Sequence, residues 1–497
     1  MTKPYVFLSF DTEDPIHPES DDALLQLARL YHDAGLPACF FLVAEKARVL
    51  RERGRRDVLD ALAGHEIDYH GNYWFEFPEL AMVYGNRDSW EEAAAKARTY
   101  EVPGLCDVAE ITGHFPVATT QHQNNHSPAT TYALRQAGVK VWNHGLGGEL
   151  PGIGWVMDML TVPRRGCNMS SQGSWGQYQY DPDEPARLPT TMNVGEELKT
   201  FQQQFEALLE KGHSHLNILG HPTCWAIAEW WGWYEWALPF RGAGQDGRGG
   251  LYPHGRRWER GQVRAPEDRE AHLQWTAEAA RWLAARNDIE VTTFAQVLAD
   301  HDEVPAQWLS AAQIRQVAQS ICERFTQDKA FDWMEIGSTT LSTADALYLL
   351  AHQVEFMMSA GHRPAELQIR RTLGPVEVVL RPTAPLNVRR SDLLMAARQA
   401  FQYINAHGRL PHGIHAHAID FGPGELLIAL AQSLAGERMP DDLTIEPTKG
   451  LPKCAGETYF SKTSAASTNG PSNYEPTQIQ LQGLQQSWSY RPAVRSS

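Results

Sequence analysis

At 497 residues the chain is too long for one ordinary domain, and its length implies about two to four. Sixty acidic residues against 44 basic ones give a net charge of −16, so the chain lacks the basic excess that binding to nucleic-acid phosphates requires. Apolar residues at 42% and charged residues at 21% suit a globular protein, and no run approaches the ~18 apolar residues of a membrane span. The six cysteines, Cys39, Cys106, Cys167, Cys224, Cys322 and Cys454, show no paired spacing, which argues against a disulfide framework or a cysteine zinc site. The chain enters a strand pattern within five residues, with no leader-like segment before it, so the expectation is a reduced, cytoplasmic protein.

Taken in chain order, residues 5 to about 300 alternate between strand and helix patterns. Strands are expected at Tyr5 to Phe10, Ala38 to Val43, Glu66 to Tyr69, Val139 to Trp142, His215 to Leu219 and Ile289 to Thr292. Helices are expected at Asp21 to Ala34, Asp88 to Tyr100, Glu196 to Leu209 and Arg269 to Arg286; the first has apolar residues at Leu24, Leu25, Leu27, Leu30 and Tyr31, close to a helical period. Such alternation implies a parallel sheet or barrel, in which all carboxyl-terminal strand ends open on one rim. The stretch from Gly145 to Pro189 reads as a loop-rich insertion on that rim.

From about residue 306 helical patterns dominate. Met334 to Ala351 and Ile414 to Ala431 form an internal repeat offset by 80 residues, matched mainly at apolar and acidic positions. Each copy has a preceding helix, a short extended piece and a capped apolar helix. From about Cys454 the chain is rich in Ser, Gln, Thr, Asn and Pro, which predicts a disordered tail.

Chemistry-bearing residues collect at the predicted strand ends. Asp11, Glu13 and Asp14 follow the first strand. Three carboxylates this close repel one another unless a cation or dipoles offset them, so they form either a solvated acidic loop or a general base with a metal ligand. His70 ends the third strand in a Gly-flanked turn and is a candidate ligand. His65, five residues earlier, falls on the opposite face and reads as structural. His221 ends a later strand and is either a general acid or a structural histidine before Pro222. His122 and His126 have the i, i+4 spacing that binds zinc on a helix, although their segment is polar. Trp225, Trp230, Trp231, Trp233 and Trp236 follow His221, as core or as an aromatic platform for a flat ligand. No GxSxG elbow, phosphate-binding GxxxxGK[ST] loop, HExxH or dinucleotide fingerprint is present.

The order of these motifs resembles the polysaccharide deacetylase family, the NodB-homology fold. Ser9-Phe10-Asp11-Thr12-Glu13-Asp14 is similar to its first motif, Phe40 to Val43 to its second strand, and Gly64 to His70 to its histidine motif. Ser127-Pro128-Ala129 and Tyr132 to Val139 resemble the helix and strand after its third motif, and Ile218-Leu219-Gly220-His221-Pro222 its last. The likeness covers about residues 4 to 300. It implies a distorted (β/α) barrel and a divalent metal, usually zinc, held by one Asp and two His. In that scheme Asp11 is the catalytic base, Asp14 the metal carboxylate, His70 one imidazole, and His221 the acid that protonates the leaving amine. Zinc lowers the pKa of its water to roughly 7.

Two places depart from the family pattern. Four residues after His70, where the second metal histidine belongs, stands Trp74, which cannot bind zinc. The arginine of the third motif is absent from Thr119 to Asn125. Either His122 or His126 supplies the missing ligand, or the metal is lost; His126 is the expected replacement, with His122, Trp74, Trp225 and Trp231 lining the substrate. The C-terminal repeats faintly resemble pseudomurein-binding repeats.

The expected architecture is thus a deacetylase-like (β/α) barrel over 1–304, a mainly helical two-repeat module over 305–453 and a tail over 454–497. The expected activity is metal-dependent hydrolysis of amide C–N bonds in an N-acetylated carbohydrate. The alternatives are a degenerate binder of a carbohydrate-like ligand and a hydrolase of a small amide or ureide. The expected partners are that substrate and, for the C-terminal module, a protein or polymer; nucleic acid and membrane are not expected.

Overall fold

A computed structural model describes residues 3–73, 88–120, 127–144, 152–164, 166–168, 192–228, 260–301, 307–448, 451–453 and 477–495. The contacts divide the chain into two units. The first holds residues 1–152, 162–299 and 464–476; the second holds 153–161, 300–463 and 477–497. The chain therefore passes between units more often than the expected single boundary near residue 305 implies.

The strands of the first half are β1 (Tyr5–Thr12), β2 (Cys39–Leu42), β3 (Glu66–Tyr69), β4 (Ala118–Thr119), β5 (Val141–His144), the hairpin β6 (Gly154–Val156) and β7 (Met159–Pro163), then β8 (Gly166–Asn168), β9 (His215–Gly220) and β10 (Glu290–Thr292). In the first unit they run β5-β4-β3-β2-β1-β9-β8, all parallel, with β10 beside the lower half of β1. The result is a curled half-barrel sheet with helices, the distorted (β/α) barrel class. Part of the predicted loop insertion is thus strand, in β6 to β8.

All eight residues of β1 are buried, as expected of a parallel strand covered on both faces. Its outward Phe10 packs on Phe40, Tyr31 and Trp225. Its inward Phe7 stacks on Phe294, which also meets Phe41. Helices Pro18–Asp33, Trp90–Thr112, Pro128–Ala137, Val194–Leu209 and Pro266–Ala284 connect the strands. The second of these starts at a Ser89–Glu92 capping box and runs a dozen residues past the predicted Tyr100, through Pro103, to Gly113 in the left-handed region.

Helix Pro266–Ala284 carries His272, buried beside Arg264 and Asp268. Burial, with Arg264 adding to it, pushes the His272 pKa down to about 3. The unfolded chain therefore binds a proton near pH 6.5 that the folded chain refuses. The stabilising contribution is complete above that pH and is lost as pH falls towards 3, with a slope of up to about 1.4 kcal/mol per pH unit. His272→Gln should flatten the acid limb of stability measured by urea unfolding between pH 6.5 and 4; an unchanged slope refutes this.

The second unit is an internal duplication. β11 (Trp308–Ser310), helix Ala311–Asp328, hairpin β12 (Trp333–Ile336) and β13 (Thr339–Ser342), helix Thr343–Ala360 and β14 (Glu366–Gln368) form one copy, closed by antiparallel β11–β14 pairing. β15 (Leu386–Arg389), helix Arg390–His407, hairpin β16 (Ile414–Ala416) and β17 (Ile419–Phe421), helix Pro423–Ala435 and β18 (Asp442–Ile445) form the other, closed by β15–β18. The apolar helices from both copies share one core, including Leu347, Leu350, Leu427 and Leu430. The equivalent acids Asp345 and Glu425, each in a first helical turn, accept the backbone N–H of Thr372 and Thr448 at 2.8 and 2.7 Å. Each acid thereby ties the start of its helix to the segment that follows it.

The predicted disordered tail is corrected over its second half. Helix Thr477–Gln486, Trp488 and β19 (Arg491–Pro492) are folded in the second unit, with Ile479, Trp488, Tyr490 and Arg491 buried. β19 pairs antiparallel with β6. The polar composition hid a few large apolar anchors and a strand that closes onto an existing edge. Residues 454–476 lie outside the described residues. Among the described residues no helix is long and apolar enough to cross a membrane. Trp488→Ala should cost about 3–5 kcal/mol of second-unit stability in urea unfolding; a loose tail would leave it unchanged.

Candidate functional site

Strand alternation builds the site. Along β1 and its extension, residues 7, 9, 11 and 13 share one face. Register places Phe7 beside Asn217 and Ser9 beside Leu219, so His221 follows on the face of Asp11. On β3, Asp68 lies beside Phe41, itself the partner of Asp11, which puts His70 on that inward face too. Asp11, Glu13, His70 and His221 therefore converge on the carboxyl-terminal rim, all buried.

The distances make a closed set. His70 Nε2 lies 3.8 Å from Asp11 Oδ2 and 3.5 Å from Glu13 Oε2. His221 Nε2 lies 3.7 Å from Asp11 Oδ2 and 3.6 Å from Glu13 Oε1. Each imidazole thus faces both carboxylates. His70 Nδ1 donates to the Thr120 carbonyl at 3.1 Å, which leaves the Nε2 lone pair of the neutral ring facing the carboxylates.

Arg164, just beyond β7, donates to both Asp11 oxygens, at 2.9 and 3.3 Å. The preceding Pro163 carbonyl accepts from His215 Nε2 at 2.6 Å, which anchors that turn to β9. Burial opposes ionisation of Asp11 most strongly, but Arg164, helped by His70 and His221, outweighs it and lowers the Asp11 pKa. Burial lowers the His221 pKa despite Glu13 and Asp11, which favours its neutral form.

Asp14 has other partners. Its Oδ1 accepts the backbone N–H groups of Ile16 and His17, and its Oδ2 accepts from His17 Nδ1 at 2.9 Å. His17 Nε2 in turn accepts the Gly261 N–H at 2.8 Å, which fixes the tautomer. Burial opposes Asp14 ionisation, but the His17 hydrogen bond leads the interactions that lower its pKa. The buried Lys46 ammonium donates to the Asp14 carbonyl, Ser20 and Asp21. Asp14 thus braces the turn after β1, and the carboxylate expected to meet His70 is replaced there by Glu13. The signal was available in the sequence: Glu13 has the strand parity of Asp11 and Asp14 does not.

Trp225 is also reassigned. It is buried against Phe10, and its Nε1 donates to Thr276 Oγ1 at 2.8 Å, so it is core and no platform. His65 bridges the Ala28 carbonyl and the Ala38 N–H, a structural role. Trp74, His122, His126 and Trp231 lie outside the described residues. Arg164 was missed in the sequence, because it reaches Asp11 from a segment with no motif of its own. Removing one partner of a buried ion pair strands the other charge, so Arg164→Met should destabilise by about 3–5 kcal/mol. Adding Asp11→Asn should recover most of that in urea unfolding; additive losses would refute the pairing.

No protein-family model matches the chain, and no curated protein matches it. Among solved structures, the chain is similar to a Mycobacterium smegmatis protein assigned as a polysaccharide deacetylase, at 15% identity over 60% of this chain and 90% of that one, with a TM-score of 0.38. It is similar to a Pseudomonas aeruginosa PAO1 protein with the same assignment, at 17% identity over 57% and 74%, TM-score 0.35. A third is Puue allantoinase, at 14% identity over 57% and 74%, TM-score 0.34.

Proposed function

We propose that the first unit is a metal-dependent hydrolase of amide C–N bonds, acting on an N-acetylated carbohydrate. The observation that carries the reading is the convergence of Asp11, Glu13, His70 and His221 on one buried rim, with Arg164 reserved to Asp11. Motif order along the chain supports it.

The donors fit a divalent ion. Two imidazoles and one carboxylate form a common ligand set, and nitrogen with oxygen suits zinc. Glu13, His70 and His221 would hold the ion, with His221 taking the ligand place that Trp74 cannot fill. When bound, such an ion polarises an acyl carbonyl and makes water more acidic. Asp11 is the base, and Oδ2 is the oxygen nearer both imidazoles. Arg164 keeps that carboxylate ionised and fixes its plane through two hydrogen bonds. Thr120 holds the His70 ring in the tautomer that presents Nε2.

The test pairs metal analysis with a substrate panel. The purified full chain should carry a divalent ion at the rim, so His70→Ala and Glu13→Gln should each lower the bound metal by about one equivalent, and Asp11→Asn should retain that metal but lose at least about 100-fold in kcat. Protein without metal after purification in added zinc would favour the degenerate ligand-binding reading. Turnover of ureides or small amides, with acetylated sugars untouched, would move the substrate class.

A further inference from the structure

Beneath the rim, the inward face of β2 and β3 carries a second group of donors. Cys39, Glu66 and Asp68 each present a ligand atom within 4.8 Å of the other two. Cys39 and Glu66 are register partners, and Asp68 follows Glu66 by two residues on the same face. His70 is the next inward position, so this group lies one to two side-chain layers below the rim.

The three side chains are held in place by the fold. Glu66 accepts the N–H groups of Phe294 and Ala295 with its two oxygens, each at 2.8 Å. Asp68 Oδ1 accepts the Ala118 N–H at 2.7 Å. Asp68 Oδ2 is buried with no hydrogen-bond partner among the described residues, and the whole residue is 0% exposed. Asp68 faces the Glu66 carboxyl, and burial with Glu66 beside it pushes the Asp68 carboxyl well above the usual carboxylate range. Two buried acids that face each other need a proton or a cation between them, and a bound cation would take the proton's place. Cys39 is also fully buried and unpaired in any disulfide. Ser9 Oγ, Thr120 Oγ1 and Asn143 Nδ2 are likewise buried and unpartnered among the described residues, so the inward face carries polar groups beside Phe7, Phe41 and Phe294.

We propose that Cys39, Glu66 and Asp68 form a second metal site, separate from the rim, that binds one divalent ion of the zinc class. One thiolate with two carboxylates suits an ion that accepts both sulfur and oxygen; magnesium and calcium, which prefer oxygen alone, are disfavoured. The donors of the site come from two neighbouring strands, so it serves to brace β2 against β3 beneath the rim. It does not depend on the reading of the rim as catalytic.

Cobalt substitution of the reduced full-length chain tests the proposal. The rim donors contain no sulfur, so a sulfur-to-cobalt charge-transfer band in the near ultraviolet reports the lower site. The His70→Ala/His221→Ala variant should keep about one equivalent of cobalt and the band. Cys39→Ser should lose the band, and Asp68→Asn should weaken cobalt binding by at least about tenfold. Circular dichroism checks that each variant is folded; if Cys39→Ser does not fold, the Asp68→Asn affinity decides. No band in the wild-type protein, a band that survives Cys39→Ser, or undiminished affinity in Asp68→Asn overturns the proposal. A wild-type chain that shows the band but binds only one equivalent of cobalt would count against the rim reading alone.

Discussion

The two-residue period of a strand buried on both faces governs this molecule. β1 has no solvent side to receive a misplaced polar group, so each residue must suit either the outer helical layer or the barrel interior. Phe10 goes outward to Phe40 and Trp225, while Phe7, Ser9, Asp11 and Glu13 go inward. Parallel register carries the same parity across β2, β3 and β9. A one-residue slip in β1 would bury Thr12 and Asp14 among the imidazoles and place Asp11 against the helices. Register is therefore also the condition for having a site.

The barrel class was readable because strand and helix patterns alternate over the first 300 residues, and β3 was located to the residue. His70 and His221 were readable because each ends an apolar run. Asp14 was misassigned because motif resemblance overrode parity. Arg164 was illegible for a different reason: its partner is fixed by the turn after β7 and by the His215 bond to Pro163, a long-range arrangement with no local pattern. Trp225 failed as a platform because local sequence reports aromatic content but not which side of the sheet receives it. The terminal segment failed because composition averages over residues, whereas Trp488, Tyr490 and Arg491 act singly.

In the second unit the duplication is visible in sequence at apolar and acidic positions, and the structure shows why the acids belong to it. Asp345 and Glu425 each spend a buried carboxylate on a backbone N–H from the segment after their helix. An apolar residue there would leave that amide unsatisfied. Asp345 also engages Arg371 at 3.0 Å, and Arg491 Nε approaches it at 3.8 Å, so the first copy uses its acid to gather the terminal segment as well. The copies thus keep one polar contact in common while their flanking partners differ.

Charge balance links rim geometry to chemistry. Arg164 offsets one of the two carboxylates, and burial favours neutral His221. The other carboxylate, Glu13, faces Nε2 of both rings in surroundings of low effective dielectric, with His70 Nε2 directed at both carboxylates by the Thr120 carbonyl. Protonating His221 would offset a carboxylate charge but conflicts with its burial. A cation between Glu13 and the two imidazoles neutralises that charge without adding a proton to either ring. The same arrangement leaves Asp11 paired to Arg164, so the carboxylate that must accept a proton differs from the one that must hold charge. A single acid could not do both, which is why two acids of the same strand parity, two residues apart, matter more here than the three adjacent carboxylates first read in the sequence.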